Sequence, residues 1–529
     1  MKRLSSIQVI VMAAGQGKRM VSRLPKVLHR LAGRSLLSHV LTTAHSVAPQ
    51  TTAVVVGHGG AAVREVFAGE VAKAVSFQAH TFFLPLSPCG RGCPEGAGEG
   101  EQRLFYPSPP APLPQGERGE KRGTPSKEGK HFDRNRAKTS DLIFVEQDPP
   151  RGTGDAVRVA LAALPDAELT LVMNGDCPLI TASDVRQLCD VAAQGSLAWL
   201  TVKTPSPQGL GRIVRDTNGN VQAIVEERDA DEAQKKISEI NVGVLAAPTA
   251  LLKRWVEQLT CDNAQQEYYL TDILAMAVRD GVPVETVQAE DERDTRGVND
   301  RVQLAEVERI VQRKQAEVLM QQGVTFFDPA RFDLRGTLRC GSDVSIDVGC
   351  VFEGEVTLGN DVEIGAYCVL RNVTLAEGVR VAPFSHLDGA EVGKQAVIGP
   401  YARLRPGAKL AEHTHVGNFV EIKASTLGAG SKANHLSYLG DAEIGANVNI
   451  GAGTITCNYD GVSKHKTTIG DDAFIGSNTA LVAPLTIGQG ATIGAGSTLS
   501  EDAEAQALTF TRTQPIVKKN WSRPAKKKE

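Results

Sequence analysis

The chain has 529 residues, 41% of them hydrophobic and 22% charged, enough for two or three domains. Its 58 basic and 61 acidic residues leave a formal charge of −3, which excludes the broad basic face that a nucleic-acid partner requires. No stretch approaches the ~20 apolar residues that span a bilayer, and nine scattered cysteines without a paired framework predict a reducing, cytoplasmic setting.

The opening MKRLSSIQVIVMAAG has the charged start and apolar run of a signal peptide. Gln8 breaks that run, and it feeds a glycine-rich turn, so it reads as a buried first strand. TTAVVVGHG, LTLVMNGD and LAWLTVK are further apolar runs of strand length. Runs buried on both faces predict a mainly parallel, helix-covered sheet, a Rossmann-like α/β domain over residues 1–300. Such sheets bind ligands at the carboxyl ends of their strands, where Gly15–Arg19 and Asp176 fall.

A segment of different character interrupts this domain. FYPSPPAPLPQGERGEKRGTPSKEGKHF is proline, glycine and charge, with almost nothing to bury. Joining Phe77 to Val145 gives KAVSFVEQDPPRGTGDA, a strand running into a turn, so 78–144 reads as a disordered insertion. Three roles compete: a passive loop, a translated mobile element that alters activity, and a Pro-rich partner module. A passive loop costs little, because closure entropy rises only logarithmically with length. The insertion's end near Gln147 places it beside whatever that turn binds. Cys89 and Cys93, one pair within it, are too few for a metal site.

Next, DRVQLAEVERIVQRKQAEVLMQQG carries Leu304, Val307, Ile310, Val311 and Val318 before Gly323, which predicts an amphipathic linker helix over 301–323. Beyond it the period becomes six: Val392, Ile398, Leu404, Leu410, Val416 and Ile422, then Ile469, Ile475, Leu481, Ile487, Ile493 and Leu499. Neither a helix nor an ordinary strand repeats at six. Hexapeptides predict a parallel β-helix over 324–529, each aliphatic side chain stacking on its equivalent one coil away. The basic end, from Lys518 to Lys528, reads as a solvated tail.

Two motifs carry the chemistry of the first half. In VMAAGQGKRMVSRLPKVLH, Gly15 and Gly17 let backbone N–H groups approach a phosphate chain, and Arg19 and Lys26 add positive charge. NGDCPL ends an apolar strand with Asp176, suited to the divalent cation that phosphoryl transfer needs. GRIVR, AIVEERDA, EINVGV, QEYYLTDI and GVNDR follow, and RLRPG, NFVEIKAS, NHLSYLGD and NIGAGTITCNYDG lie among the hexapeptides. In this order the motifs resemble those of bacterial bifunctional N-acetylglucosamine-1-phosphate uridylyltransferase/glucosamine-1-phosphate acetyltransferases, over the whole chain except 78–144.

The resemblance implies Mg2+, UTP and acetyl-CoA, a left-handed β-helix, and a homotrimer that shares its acetyl-transfer sites, without nucleic acid or membrane insertion. For the uridylyl site it implies Met12, Ala13, Ala14, Gly15, Arg19 and Lys26, with Gln147, Gly152 and Thr153 at the uracil. Asn174, Gly175 and Asp176 belong to the same site, and Gly211, Glu226 and Asn241 to its sugar end. Asn299 would join Asp176 on the metal. For acetyl transfer it implies His435 as general base, since imidazole exchanges protons near neutrality. Arg405, Lys423, Tyr438 and Asn449 would hold glucosamine 1-phosphate, and Ala452, Asn458, Tyr459, Ser477, Ala495 and Arg512 acetyl-CoA. Arg151 and Asn174 depart from the aliphatic and the aromatic residue usual there. Two rival readings stay open: a nucleotidyltransferase with a non-catalytic β-helix, and an acetyltransferase whose first site the insertion disables.

Overall fold

The computed structural model describes residues 6–15, 17–57, 59–74, 141–263, 265–511 and 517–522. The chain divides into two compact units, one of Met1–Val63 with Ser140–Glu529 and the other of Arg64–Thr139. Of the second, only the run from Arg64 to Ala74, helical within Gly60–Ala74, is described.

The first half is one mixed sheet. Its strands are Ile7–Met12 (β1), Thr51–Val56 (β2), Asp141–Glu146 (β3), Leu169–Asn174 (β4) and Leu197–Lys203 (β5). A hairpin follows, Arg212–Arg215 (β6) with Val221–Val225 (β7), then Glu239–Pro248 (β8) and Val284–Gln288 (β9). The order is β9-β5-β8-β4-β1-β2-β3, parallel except for β8, which runs against both neighbours. All four apolar runs read from the sequence are strands of this sheet. Thr153–Ala163 (α1), Thr249–Val256 (α2) and Ile273–Arg279 (α3) pack with it into a cluster around the buried Trp199 and Trp255.

The edge strand β3 differs from expectation. The sequence places Asp141–Phe144 in the insertion, yet they pair in parallel with Thr51–Val54. DLIFVE supplies its own strand residues, whereas Lys73 and Ala74 of KAVSF end the preceding helix. The remaining 78–140, with Cys89 and Cys93, lies outside the described residues.

The linker helix Arg301–Gln321 (α4) starts where the Asp300 carboxylate accepts from the Gln303 N–H at 2.8 Å. It stops at Gly323, whose φ of +98° favours glycine. Val307 and Val311 are buried as expected, and the buried face is completed by Gln312, Ala316 and Leu319. Gln312 escapes any periodicity argument. Its amide donates to the Leu334 carbonyl at 3.0 Å and accepts from the Leu334 N–H at 2.7 Å, so it pairs with the first β-helix coil as another strand would. Glu308, which accepts from Gln312 and from the Ala32 N–H at 2.8 Å, extends the tie into the first half. The two halves therefore share one compact unit.

From Thr325 the chain winds into a left-handed parallel β-helix. Val392 stacks on Leu410, Ile398 on Val416 and Leu404 on Ile422, so three hexapeptides make one coil and each begins on a different face. One file of stacked side chains runs through Ile346, Ile364, Val381, Ile398, Val416, Ala433, Ile450, Ile475 and Ile493. One coil is longer than its neighbours. Ile444 stacks on Ile469 and Ile450 on Ile475, and the extra residues form a loop around Asn458–Lys464.

Candidate active sites

Asn174-Gly175-Asp176 leaves β4 in register with Met12 at the end of β1. The Gly175 N–H donates to the Met12 carbonyl at 2.9 Å, which sets this turn beside Ala13, where the loop after β1 begins. Lys26, 150 positions from Asp176 and 273 from Asn299, forms an ion pair with the first and donates to Oδ1 of the second at 3.1 Å. Gly17 sits at φ +56°, and a Cβ there would stand 2.8 Å from that of Lys26, so only glycine lets the loop close over the lysine. Lys26, Asp176 and Asn299 thus converge as the motifs implied. Arg19 stands exposed on the single turn Lys18–Met20, outside this contact. One carboxylate and one amide oxygen are hard donors that fit Mg2+, which takes few protein ligands and fills its octahedron with phosphate and water.

From this point a cleft of about 570 Å³ runs past Gly211, Glu226 and Asn241. Asn241 Oδ1 accepts from Trp199 Nε1 and from the Gly243 N–H, both at 2.6 Å. Its oxygen is fully used, so it offers the cleft its amide N–H. The Gly211 carbonyl accepts from the Asn241 N–H at 2.9 Å, and a Cβ on Gly211 would stand 3.3 Å from Glu226 Oε1. Arg212, 1% exposed, grips the Leu210 and Lys235 carbonyls and the Glu227 carboxylate, holding the loop that bounds the cleft. The sequence marked Arg212 only as part of GRIVR. Asn174 donates to the Val242 carbonyl at 3.4 Å, and Gly243, at φ +80°, makes room for it.

Burial raises the Glu226 carboxyl above its ordinary range, Asp229 and Asp272 add to the rise, and a hydrogen bond from Thr271 opposes it. A raised carboxyl contributes stability at pH below its unfolded value, lost as pH rises through the folded value. Glu226→Gln should therefore raise Tm near pH 8 and leave it unchanged near pH 4. Thermal melts at the two pH values check this.

Just past the edge strand β3, the Gln147 amide donates to the Gly152 carbonyl at 3.0 Å and to Asp155 at 2.9 Å. Gly152, at φ +109°, has no room for a Cβ, which would lie 2.6 Å from the Tyr268 carbonyl oxygen. Thr153 Oγ1 accepts from the Leu270 N–H at 3.0 Å, which explains QEYYLTDI as the strap over this turn. Arg151, the unusual residue, bonds Asp155 at 3.1 Å. Burial pushes the Asp155 carboxyl up, but hydrogen bonds from Gln147, Arg158 and Arg151 outweigh it and leave it below the usual range.

The second candidate site follows one corner of the β-helix. The Gly453 N–H donates to the His435 carbonyl at 3.4 Å, Asn478 N–H to Ala452 at 2.7 Å, and Gly496 N–H to Ser477 at 2.8 Å. His435, Ala452, Ser477 and Ala495 are therefore one file, spaced about 4.8 Å per coil, with three small residues beside an exposed imidazole. Arg512 lies outside the described residues.

Arg405 and Lys423 form a second file, next to the Leu404–Ile422 pair. Arg405 donates to Glu421 at 2.8 Å and Lys423 to Asp441 at 3.2 Å. Asn458, from the long loop, bonds Asp441 and reaches the Tyr438 hydroxyl at 3.5 Å. Lys464, which the motifs did not single out, joins them. The Lys423 ammonium beside it pushes its pKa below the usual lysine range, with Arg405 acting in the same direction. The sequence does carry a signal for it: CNYDGVSKHK breaks the hexapeptide period. Tyr459, on the same loop, is exposed. Asn449 is not brought into this cluster. It lies on another face, paired with Lys432 and Phe474.

The chain matches three family models: MobA-like NTP transferase domain over 9–81 and 129–281, GMPPB C-terminal domain over 334–427, and bacterial transferase hexapeptide (six repeats) over 466–501. It is 47% identical over 523 residues to "Bifunctional protein GlmU" of Janthinobacterium sp. (strain Marseille), covering 99% of this chain and 100% of the relative. The protein of that name from Acinetobacter baumannii (strain ACICU) is 47% identical over 524 residues, again 99% and 100%. That from Methylibium petroleiphilum is 48% identical over 525 residues, with the same coverage. With similarity running end to end through both clusters, the chain belongs to the bifunctional GlmU family, the uridylyltransferase/acetyltransferases that its motifs resemble.

Proposed function

We propose that this protein makes UDP-N-acetylglucosamine at two sites. The β-helix transfers acetyl from acetyl-CoA to glucosamine 1-phosphate, and the sheet domain couples the product to UTP with release of pyrophosphate. The observation that carries this reading is the double convergence of Lys26, Asp176 and Asn299 in one half and of Arg405, Lys423, Tyr438 and Asn458 in the other.

At the first site the sugar phosphate attacks the α-phosphorus of UTP in line, and catalysis is positioning and charge neutralisation. Asp176 and Asn299 would hold Mg2+, which offsets charge on the phosphates. Lys26 adds a fixed positive charge beside them, and the loop Met12–Gly15 and Gly17, with Arg19, takes the triphosphate. With both its N–H groups used internally, Gln147 offers a ligand only its oxygen, an acceptor for the N3–H of uracil, while Gly152 and Thr153 flank the base. Asn241 and Glu226 receive the sugar. At the second site Arg405, Lys423 and Lys464 bind the phosphate and His435 removes a proton from the attacking amine. Acetyl-CoA lies along Ala452, Ser477 and Ala495 with its acetyl group near Asn458 and Tyr459.

Tyr438 and Asn449, both sugar contacts, stand on different faces flanking the His435 corner. That separation supports a site completed by a neighbouring copy, and hence the homotrimer. We place the protein in the cytoplasm, apart from membrane and nucleic acid. No helix among the described residues is long and apolar enough to cross a membrane.

The insertion bears on the first site alone. The chain re-enters at Asp141, at the amino end of β3, where its N–H donates to the Gln50 carbonyl at 3.3 Å. Gln147 lies at the other end, about 20 Å away along the strand. The attachment point itself therefore leaves the Gln147 turn unobstructed, which supports a working uridylyl site. The test compares the full chain with a variant joining Phe77 to Asp141. UTP-dependent pyrophosphate release and acetyl-CoA consumption are expected at equal rates in both. A full chain that acetylates but releases pyrophosphate only after the deletion would show the first site to be disabled.

A further inference from the structure

We propose that Asp441 is a positioning residue for acetyl transfer, the carboxylate that sets Lys423 and Asn458 in place around the reacting substrates. One oxygen, Oδ2, accepts from Lys423 Nζ at 3.2 Å and from the Asn458 side-chain amide. These donors come from different coils and carry different tasks, phosphate binding and contact with the acetyl group, so the proposal rests on the acetyl-transfer function proposed for this site. Asp441 is itself held firmly. Its N–H donates to the Lys423 carbonyl at 3.0 Å, and its carbonyl accepts from the Thr467 N–H at 3.2 Å.

Two details support a built arrangement. Asp441 sits at φ +49°, in the left-handed region that Asp and Asn enter more readily than most side chains. The preceding residue is Gly440, where a Cβ would stand 2.4 Å from the Tyr438 hydroxyl and 2.8 Å from Asn458 Nδ2. The backbone therefore leaves an open place for Tyr438 and Asn458 to meet and swings the next side chain beneath them. An anion among Arg405, Lys423 and Lys464 also opposes phosphate binding by charge alone. Its removal should loosen the geometry while sparing, or improving, capture of the phosphate. The loss then falls on kcat rather than KM, because misplacement is felt where the reacting atoms must meet.

Asp441→Asn keeps the shape and tolerates the positive φ. It should lower kcat of acetyl transfer about tenfold or more, with KM for glucosamine 1-phosphate unchanged or lower. Pyrophosphate release and Tm should match the parent chain. In an Asn458→Ala background the same change should have a smaller further effect, because one of its two targets is gone. Should Asp441→Asn not fold, Asp441→Gly, at home at that φ, replaces it. Full kcat in the single variant, a raised KM with kcat intact, or independent multiplication of the two effects would each overturn the proposal in an enzyme that acetylates. A parent chain without acetyl transfer would remove the function proposed for the site, and the proposal with it.

Discussion

His435→Ala should abolish acetyl transfer, by about 10²–10⁴-fold in kcat, and leave UTP-dependent pyrophosphate release unchanged. The imidazole stands exposed at a corner of the β-helix, and its ring has no hydrogen-bond partner among the described residues. Its backbone, by contrast, is pinned: Ser437 Oγ donates to the His435 carbonyl at 2.8 Å, and Asn418 pairs with it from the coil before. A fixed main chain carrying an uncommitted ring suits a group that must meet a substrate amine. The file of Ala452, Ser477 and Ala495 leads directly to it. Because the uridylyl cluster is built from other segments, the two assays separate loss of the base from loss of the fold. A variant that retains acetyl transfer within twofold would remove His435 from the mechanism.

The second large effect lies at the other site. Asp176→Asn should lower pyrophosphate release by about 10²–10³-fold without affecting acetyl transfer. The change keeps a side chain of the same size beside Lys26 but removes the one anion in the Lys26–Asp176–Asn299 contact, and with it the main ligand proposed for Mg2+. Lys26 would keep its bond to Asn299 Oδ1 at 3.1 Å, so the loop should hold. Isothermal titration with Mg2+ and UTP together should show weakened metal-dependent nucleotide binding. Retained binding with lost turnover would instead place the role of Asp176 in the transition state alone.

Much of this architecture is legible in the amino-acid sequence. An aliphatic residue every sixth position allows one economical burial scheme, a three-faced coil, because stacking is decided between near neighbours of equivalent sequence. Ile469, Ile475 and Leu481 therefore announce their faces, as the apolar runs of β1, β2, β4 and β5 announce burial on both sides. The family resemblance that the motifs carry then groups Lys26 with Asp176 and Asn299.

Other features escape because they depend on register between distant segments. Nothing local distinguishes Arg212 from a surface arginine, Gln312 from a solvated one, or Asp441 from a turn former. Each acquires its role from carbonyls or amides that other strands bring within reach. The start of β3 at Asp141 is likewise decided by pairing with Thr51, an interaction that DLIFVE in isolation does not contain. Short-range periodicity determined the architecture of this protein, and its motifs named the candidate reactive side chains. The tertiary structure decided which polar groups hold those side chains in place, because a buried hydrogen bond needs a partner and the partners here lie tens to hundreds of residues away.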